Sequence, residues 1–223
     1  MAFERQTGRR INLKKIRRIK RKFELVTVIR RKNKFRAVFK AGEESKVAPN
    51  LVRRNFKTRK DIVLTTDITE LKFAYGQKAY LSAVKDLRTK EIVSYDLQTR
   101  PTIKLAMSRL PDVLAQKSSS TRKKIIIHSD QGFQYSSHQF RETFENLGVR
   151  LSMSRKGNCL DNAPIESFFG HLKDETDYKS CKSFVELKKC IRNYMEYYNK
   201  SRPQWTLKRK TPAEAGVHVS LVL

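Results

Sequence analysis

Two runs of aliphatic and β-branched residues constrain this chain more than anything else in it, because each leads straight into an aspartate. Asp67 stands in IVLTTDIT (62–69) and Asp130 in KIIIHSD (124–130). Such short apolar runs, bounded by turn residues, read as buried strands. A carboxylate at the end of a buried strand is held on a rigid element. A third acid, Glu166, follows Asp130 with 35 residues between them, in DNAPIESFFGHLK. There the pattern changes from strand to helix.

The rest of the chain fits an α/β unit around these two strands. KAYLSAVKD (78–86) and EIVSYDL (91–97) read as two more strands, with LRTK as a hairpin turn. TIKLAMSRL (102–110) reads as a helix that Pro111 interrupts or restarts. SSHQFRETFENLG (136–148) is a helix with a serine cap before it and Gly148 after it. VRLSMS (149–154) is a short strand and RKGNCLDN (155–162) a polar loop. A helix then starts near Ala163, with Asn162 as its cap and Pro164 in its first turn. SFVELKKCIRNYMEYYN (183–199) is the last helix, with Phe184, Leu187, Ile191 and Met195 on one face. The order β-β-β-α-β-α-β-α predicts a mixed sheet flanked by helices.

In the helix after Asn162, Ile165, Phe168, Phe169 and Leu172 share a face that should bury. Glu166, Gly170 and Lys173 share the neighbouring face. The glutamate is therefore expected beside the core, with a cation two turns further on.

Charge divides the chain. The 223 residues carry a net charge of +27, and residues 1–60 hold 22 basic against 4 acidic side chains, a balance of +18. INLKKIRRIKRKFEL (11–25) reads as a basic amphipathic helix, and 30–60 as a linker or arm. So much like charge in one segment repels itself unless a polyanion neutralises it. Nucleic acid is the expected partner. A membrane surface is a poor second, because the arm lacks a bulky aromatic face. No apolar run approaches ~18 residues, so no membrane span is expected. MAFERQTGRRINLKK has no apolar core of a signal peptide. These readings point to the cytoplasm. Three cysteines without a CxxC pair, and four histidines without i,i+3 or i,i+4 spacing, argue against a zinc site or a disulfide framework.

Three acids from distant segments on a basic chain point to magnesium. Clustered carboxylates repel, a like pair 4 Å apart costing on the order of 4 kcal/mol at an effective dielectric near 20. Magnesium takes oxygen ligands and removes that cost. Two such ions about 4 Å apart clamp both the attacking and leaving oxygens of a phosphodiester displacement.

Five segments carry a resemblance: TTDIT, YLSAVKDL, HSDQGFQYSS, SMSRKGNCLDNAPIESFFGHLKDE and YYNKSRPQW with TPAE. Together they resemble the insertion-sequence-three family of bacterial transposases, in its second-reading-frame product. The resemblance covers about residues 50–215. It implies an RNase H-like fold of the retroviral integrase type, with residues 1–55 as a basic arm left from a helix-turn-helix extension, 56–215 as the catalytic core with its helical tail, and 216–223 as a terminal tail. It implies a DDE triad of Asp67, Asp130 and Glu166 holding two Mg²⁺ ions, for which Mn²⁺ can substitute. Lys173, Arg155, Lys156 and Arg202 are expected to contact DNA. Leu64 and Glu70 stand where the family commonly has aromatics, and neither departure removes a ligand.

The activity implied is cleavage at element ends followed by joining of the 3′-OH to target DNA, on the bacterial nucleoid. A homo-multimer on the terminal repeats is expected, with the first-frame helix-turn-helix product as a possible partner. The rival reading is a truncated, non-catalytic remnant that occupies element ends or inhibits transposition, favoured by an N-terminus that looks short. A ribonuclease H shares the fold class but lacks the MSRKGN-x-x-DNA-x-x-E string.

Overall fold

A computed structural model describes residues 2–26, 47–53, 61–155 and 159–220. Five strands form one sheet: β1 (Ile62–Phe73), β2 (Gln77–Asp86), β3 (Ile92–Gln98), β4 (Ile125–Ser129) and β5 (Arg150–Met153), in the order β3-β2-β1-β4-β5. β1 pairs antiparallel with β2 and β2 with β3, whereas β4 lies parallel to β1 and β5 parallel to β4. The first three strands are a meander because turns of a few residues suffice between antiparallel neighbours. The β1–β2 turn places Tyr75 at φ 57° and Gly76 at φ 93°. The parallel strands need crossovers, which helices supply.

Ten helices accompany the sheet among the described residues. Two belong to the arm, α1 (Ala2–Thr7) and α2 (Leu13–Lys22). Between β3 and β4 lie α3 (Ile103–Met107), α4 (Leu110–Ala115) and α5 (Ser119–Arg122). Pro111 sits in the first turn of α4, so it restarts the helix that ends at Met107. Between β4 and β5 lie α6 (Phe133–Ser136) and α7 (His138–Asn146). The last three are α8 (Ala163–Glu175), α9 (Phe184–Lys200) and α10 (Pro212–Ser220). The arm helix is shorter than the sequence pattern, and α10 crosses the boundary placed at residue 215. Most of the 30–60 segment and all of Lys156 lie outside the described residues.

The sheet separates two cores. On one face Leu71, Ala79, Leu81 and Ala83 meet Ile165, Phe168, Phe169 and Leu172 of α8 and Leu187, Ile191, Tyr194 and Tyr198 of α9. On the other, Leu64, Val84, Ile125 and Ile127 meet α3, α4, α6 and α7. The four apolar residues of α8 are each at most 4% exposed, so the face read from their spacing is the buried one. Burial of each such side chain contributes about 1.5–3 kcal/mol.

The C-terminal motif is structural. Thr211 and Glu214 form a reciprocal cap at the start of α10: the Thr211 N–H donates to Glu214 Oε2 at 2.8 Å, and the Glu214 N–H to Thr211 Oγ1 at 3.2 Å. Asn199 pairs with edge strand β3 as a strand would, its Oδ1 accepting from the Ile92 N–H and its Nδ2 donating to the Ile92 carbonyl. α1 meets this tail through Arg5–Glu214 (2.7 Å) and Arg209–Glu4 (3.4 Å). The first pair is solvent-exposed and the second only partly buried, so they hold it weakly.

Candidate active site

Asp67 and Asp130 lie side by side because of strand register. Thr65 of β1 stands opposite His128 of β4 in a parallel pairing, and each aspartate follows two residues later. Parallel neighbours are about 4.8 Å apart, and residues two apart share a face. Asp67 therefore lies on the face covered by α8, and Asp130 follows directly on Ser129, the last residue of β4. Their carboxylates are anchored locally: the Ile68 N–H donates to Asp67 Oδ1 at 2.8 Å, and the Gly132 N–H to Asp130 Oδ1 at 2.9 Å. Gly132 lets the carboxylate sit where it does, since a Cβ there would stand 2.9 Å from Asp130 Oδ1 and displace it. Both charges act on one group: burial first, then the negative charge of Asp67 and of Asp130, pushes the fully buried Tyr135 hydroxyl well above its usual pKa.

Glu166 follows the pinned start of α8 by four residues. The helix is pinned to β1 at both ends. The Thr65 hydroxyl donates to Asn162 Oδ1 just before α8, and Lys173 Nζ donates to Thr69 Oγ1 at 2.6 Å near its end. Helix and strand thus run together in one direction. Glu166 lies about 6 Å along the helix from Asn162, and Asp67 about 6–7 Å along the strand from Thr65. Glu166 is half-buried. Among the described residues, no group of three His, Cys, Asp or Glu side chains forms a ready-made metal cage. The donors are nevertheless all hard carboxylate oxygens, and magnesium takes one or two carboxylates together with phosphate oxygens and water. The donor chemistry of the three acids suits that ion.

The expected Asn162 cap is corrected: its side chain makes no cap hydrogen bond to α8. It is turned to the sheet instead, where Nδ2 also faces the Thr66 carbonyl at 3.5 Å. Asp161 beside it is 1% exposed. Its carboxylate accepts from the Arg155 backbone N–H and Nε, each at 3.2 Å, and from Asn50 Nδ2 at 3.0 Å. Part of the Arg155 guanidinium is thus engaged inside the protein, although its side chain remains 61% exposed.

Arg202 is engaged by an acid of its own chain. Its Nε donates to both Glu175 oxygens, at 3.0 and 2.8 Å, and Nη2 donates to Oε1. The Tyr194 hydroxyl also donates to Glu175 Oε2, at 3.0 Å. Burial alone would raise the Glu175 carboxyl, but Arg202, Tyr194 and His171 outweigh it and hold it below the usual range. The ion pair ties the tail to the end of α8. Of the two departures from the family pattern, Leu64 is buried in the second core, and Glu70 pairs with Lys78 at 3.1 Å.

Sequence reasoning missed Lys85. It is 6% exposed, and Nζ donates to the Pro164 carbonyl at 3.0 Å. Burial, with Lys90 and Arg202 adding repulsion, lowers its pKa to about 7. The phenyl ring of Phe168 and the phenol ring of Tyr198 lie 5.9 and 5.8 Å away. The available signal was its parity with Ala83 and Leu81, which puts it on the core face.

Comparison with known proteins agrees with this architecture. The integrase core domain family matches residues 57–159 and again residues 147–212. The putative transposase InsK for insertion sequence element IS150 of Escherichia coli (strain K12) is 40% identical over 210 residues, spanning 93% of this chain and 72% of that protein. A transposase-like protein of Haemophilus influenzae is 40% identical over 214 residues, spanning 95% and 96%. The HTLV-2 integrase catalytic core domain in complex with magnesium superposes with a TM-score of 0.52 at 15% identity, covering 77% of this chain and 99% of that one. A chain of the simian T-cell lymphotropic virus intasome superposes with a TM-score of 0.56 at 20% identity, covering 82% and 60%. The fold is thus RNase H-like, of the retroviral integrase type, and the class is an integrase-type core. The chain itself belongs to the insertion-sequence-three family of transposases, with the core of that family's second-reading-frame product.

Proposed function

We propose that this chain cleaves the ends of an insertion element and joins the freed 3′-OH to target DNA, with Asp67, Asp130 and Glu166 as its metal-holding acids. In the first reaction, water attacks a phosphodiester, the P–O3′ bond breaks, and a 3′-OH leaves. In the second, that 3′-OH attacks a target phosphodiester, and a target 3′-OH leaves in turn. Divalent magnesium, when bound, supplies Lewis-acid stabilisation of the charge that builds on the phosphate oxygens. The chain's own residues fix the acids: register holds Asp67 beside Asp130, Gly132 and Ile68 orient them, and the α8 pins set the height of Glu166.

What supports this reading is the β1–β4 register, which sets Asp67 and Asp130 each two residues past the Thr65–His128 pair, with Glu166 four residues past the Asn162 pin of α8. Lys173, seven residues after Glu166, supplies a cation on the same helix for a phosphate of the element end. The +18 segment at residues 1–60 favours a polyanion and supports DNA as partner. Joining two ends to one target calls for more than one copy on DNA, and the first-frame product is a candidate companion. No helix among the described residues is long and apolar enough to cross a membrane. The proposed setting is the bacterial cytoplasm, at the nucleoid.

The test is incubation of purified protein with a labelled element end and Mn²⁺ or Mg²⁺. Metal-dependent nicking at the 3′ end, followed by joining to a target duplex, supports the reading. Tight binding with no cleavage in either metal means the non-catalytic remnant instead.

A further inference from the structure

One row of side chains across the sheet takes hold of the segment that precedes Glu166. Lys85 on β2, Thr65 on β1, His128 on β4 and Ser152 on β5 are consecutive cross-strand partners. In-register neighbours point to the same face. All four are at most 6% exposed. Polar groups so buried cost free energy unless each finds a partner. Three of the four find theirs in the four residues 161–164. Lys85 Nζ donates to the Pro164 carbonyl, the Thr65 hydroxyl donates to Asn162 Oδ1, and His128 Nε2 lies 3.1 Å from the Asp161 carbonyl. The fourth, Ser152, completes the histidine: its Oγ lies 2.9 Å from His128 Nδ1 and accepts the Leu51 N–H at 2.9 Å.

The network fixes the tautomer. A carbonyl only accepts, so His128 Nε2 carries the proton and Nδ1 accepts from the Ser152 hydroxyl. The Ser152 hydroxyl thereby donates to His128 and accepts from the Leu51 N–H.

We infer that Lys85, Thr65, His128 and Ser152 form a polar ladder whose job is to position Glu166, and that Asp161 and Asn162 belong to the site's motif because they are its grip. This rests on the reading of Glu166 as a metal-holding acid. Two residues beyond Thr65 on β1 stands Asp67, and two beyond His128, just past the end of β4, stands Asp130. The ladder therefore fixes the height of the helix one row beneath the acids. These are positioning residues: none of them is placed on substrate or metal. Without the ladder, α8 would keep its apolar contacts through Phe168 and Leu172 but lose the polar ties that fix its first turn. A displacement of about 1 Å at such a turn is enough to cost on the order of 10²-fold in rate.

The test is amide hydrogen exchange on the whole chain without metal or DNA, for wild type, Thr65→Val, Thr65→Ser and Asn162→Ala. Asn162→Ala removes the same bond from the helix side, should Thr65→Val fail to fold. The ladder predicts at least tenfold faster exchange for amides 163–169 in Thr65→Val and Asn162→Ala, unchanged exchange in α7 and α9, and recovery in Thr65→Ser. The Mn²⁺ concentration that half-saturates thermal stabilisation should rise about tenfold in the same two variants. Unchanged exchange at 163–169, or a uniform rise across the chain, overturns the ladder. Because this exchange needs no chemistry, its outcome is separate from that of Glu166→Gln. If Glu166→Gln still cleaves DNA, the assignment of Glu166 fails instead.

Discussion

The Asp130 carboxylate occupies space that any side chain at residue 132 would need, since a Cβ on Gly132 would stand 2.9 Å from Asp130 Oδ1. The backbone at Gly132 has φ −59°, which any residue adopts. The demand for glycine is therefore steric and local. Gly132→Ala should move the carboxylate while leaving the fold intact. We expect at least a 10²-fold loss of strand cleavage, as for a misplacement of about 1 Å, with thermal unfolding within about 3 °C of wild type. Cleavage assays beside thermal melts check this. Wild-type activity in Gly132→Ala would mean that the Asp130 position is not critical.

Lys173 donates to Thr69 Oγ1, so its ammonium is held against the strand that bears Asp67. As a phosphate contact it should act on docking. Lys173→Ala should weaken binding of an element end and lower the slope of log affinity against log salt by about one. Raising the DNA concentration should recover cleavage. Loss of cleavage at saturating DNA would place the lysine within the chemistry.

Arg202 and Glu175 should contribute to stability. Their side chains are 19% and 30% exposed and joined by several charge-assisted bonds. Arg202→Ala should destabilise by about 1–3 kcal/mol, because it leaves the Glu175 charge partly buried. Glu175 titrates lower in the folded chain, so its contribution is full above the unfolded carboxylate pKa and is lost as pH falls through the folded one. The difference between wild type and Arg202→Ala should shrink in acid. Urea melts at two pH values test this. A variant with wild-type stability and weakened DNA binding would contradict the structural role and support the DNA contact.

Lys85 gives a pH dependence of the opposite kind. Its folded pKa, near 7, lies below the unfolded value of 10.5. Between these values the unfolded chain binds more protons, so stability rises with pH. Relative to Lys85→Met, wild type should gain up to about 1.4 kcal/mol per pH unit from pH 7 towards 9. Paired melts at pH 6, 7, 8 and 9 measure the difference. A difference that does not change with pH would mean that Lys85 stays charged.

The strands were legible because β-branched runs and turn residues mark them, and the buried face of α8 because four apolar residues keep helical spacing. β1 runs on to Phe73, past the apolar run, because hydrogen bonding with β2 carries it further. What the sequence hid were long-range polar partners. Asn162 has the residue type and place of a helix cap, yet Thr65, 97 residues away, takes its side chain. Lys85 looks like a surface cation in a strand, and only the packing of α8 and α9 over β2 shows that it is buried. Arg202 reads as a DNA contact, and its pairing with Glu175, 27 residues away, leaves no local pattern. Local pattern reports periodicity, whereas these pairings depend on how the layers close.

The central claim is that three acids on one face of the sheet carry metal-dependent strand cleavage. It is tested most directly by cleavage of a labelled element end by Asp67→Asn, Asp130→Asn and Glu166→Gln, with DNA affinity measured on the same preparations. The account predicts that each variant binds DNA within about threefold of wild type, about 0.6 kcal/mol, and cleaves none of it in Mg²⁺ or Mn²⁺ at any DNA concentration. Cleavage retained by any one of the three would contradict the account and remove that residue from the site.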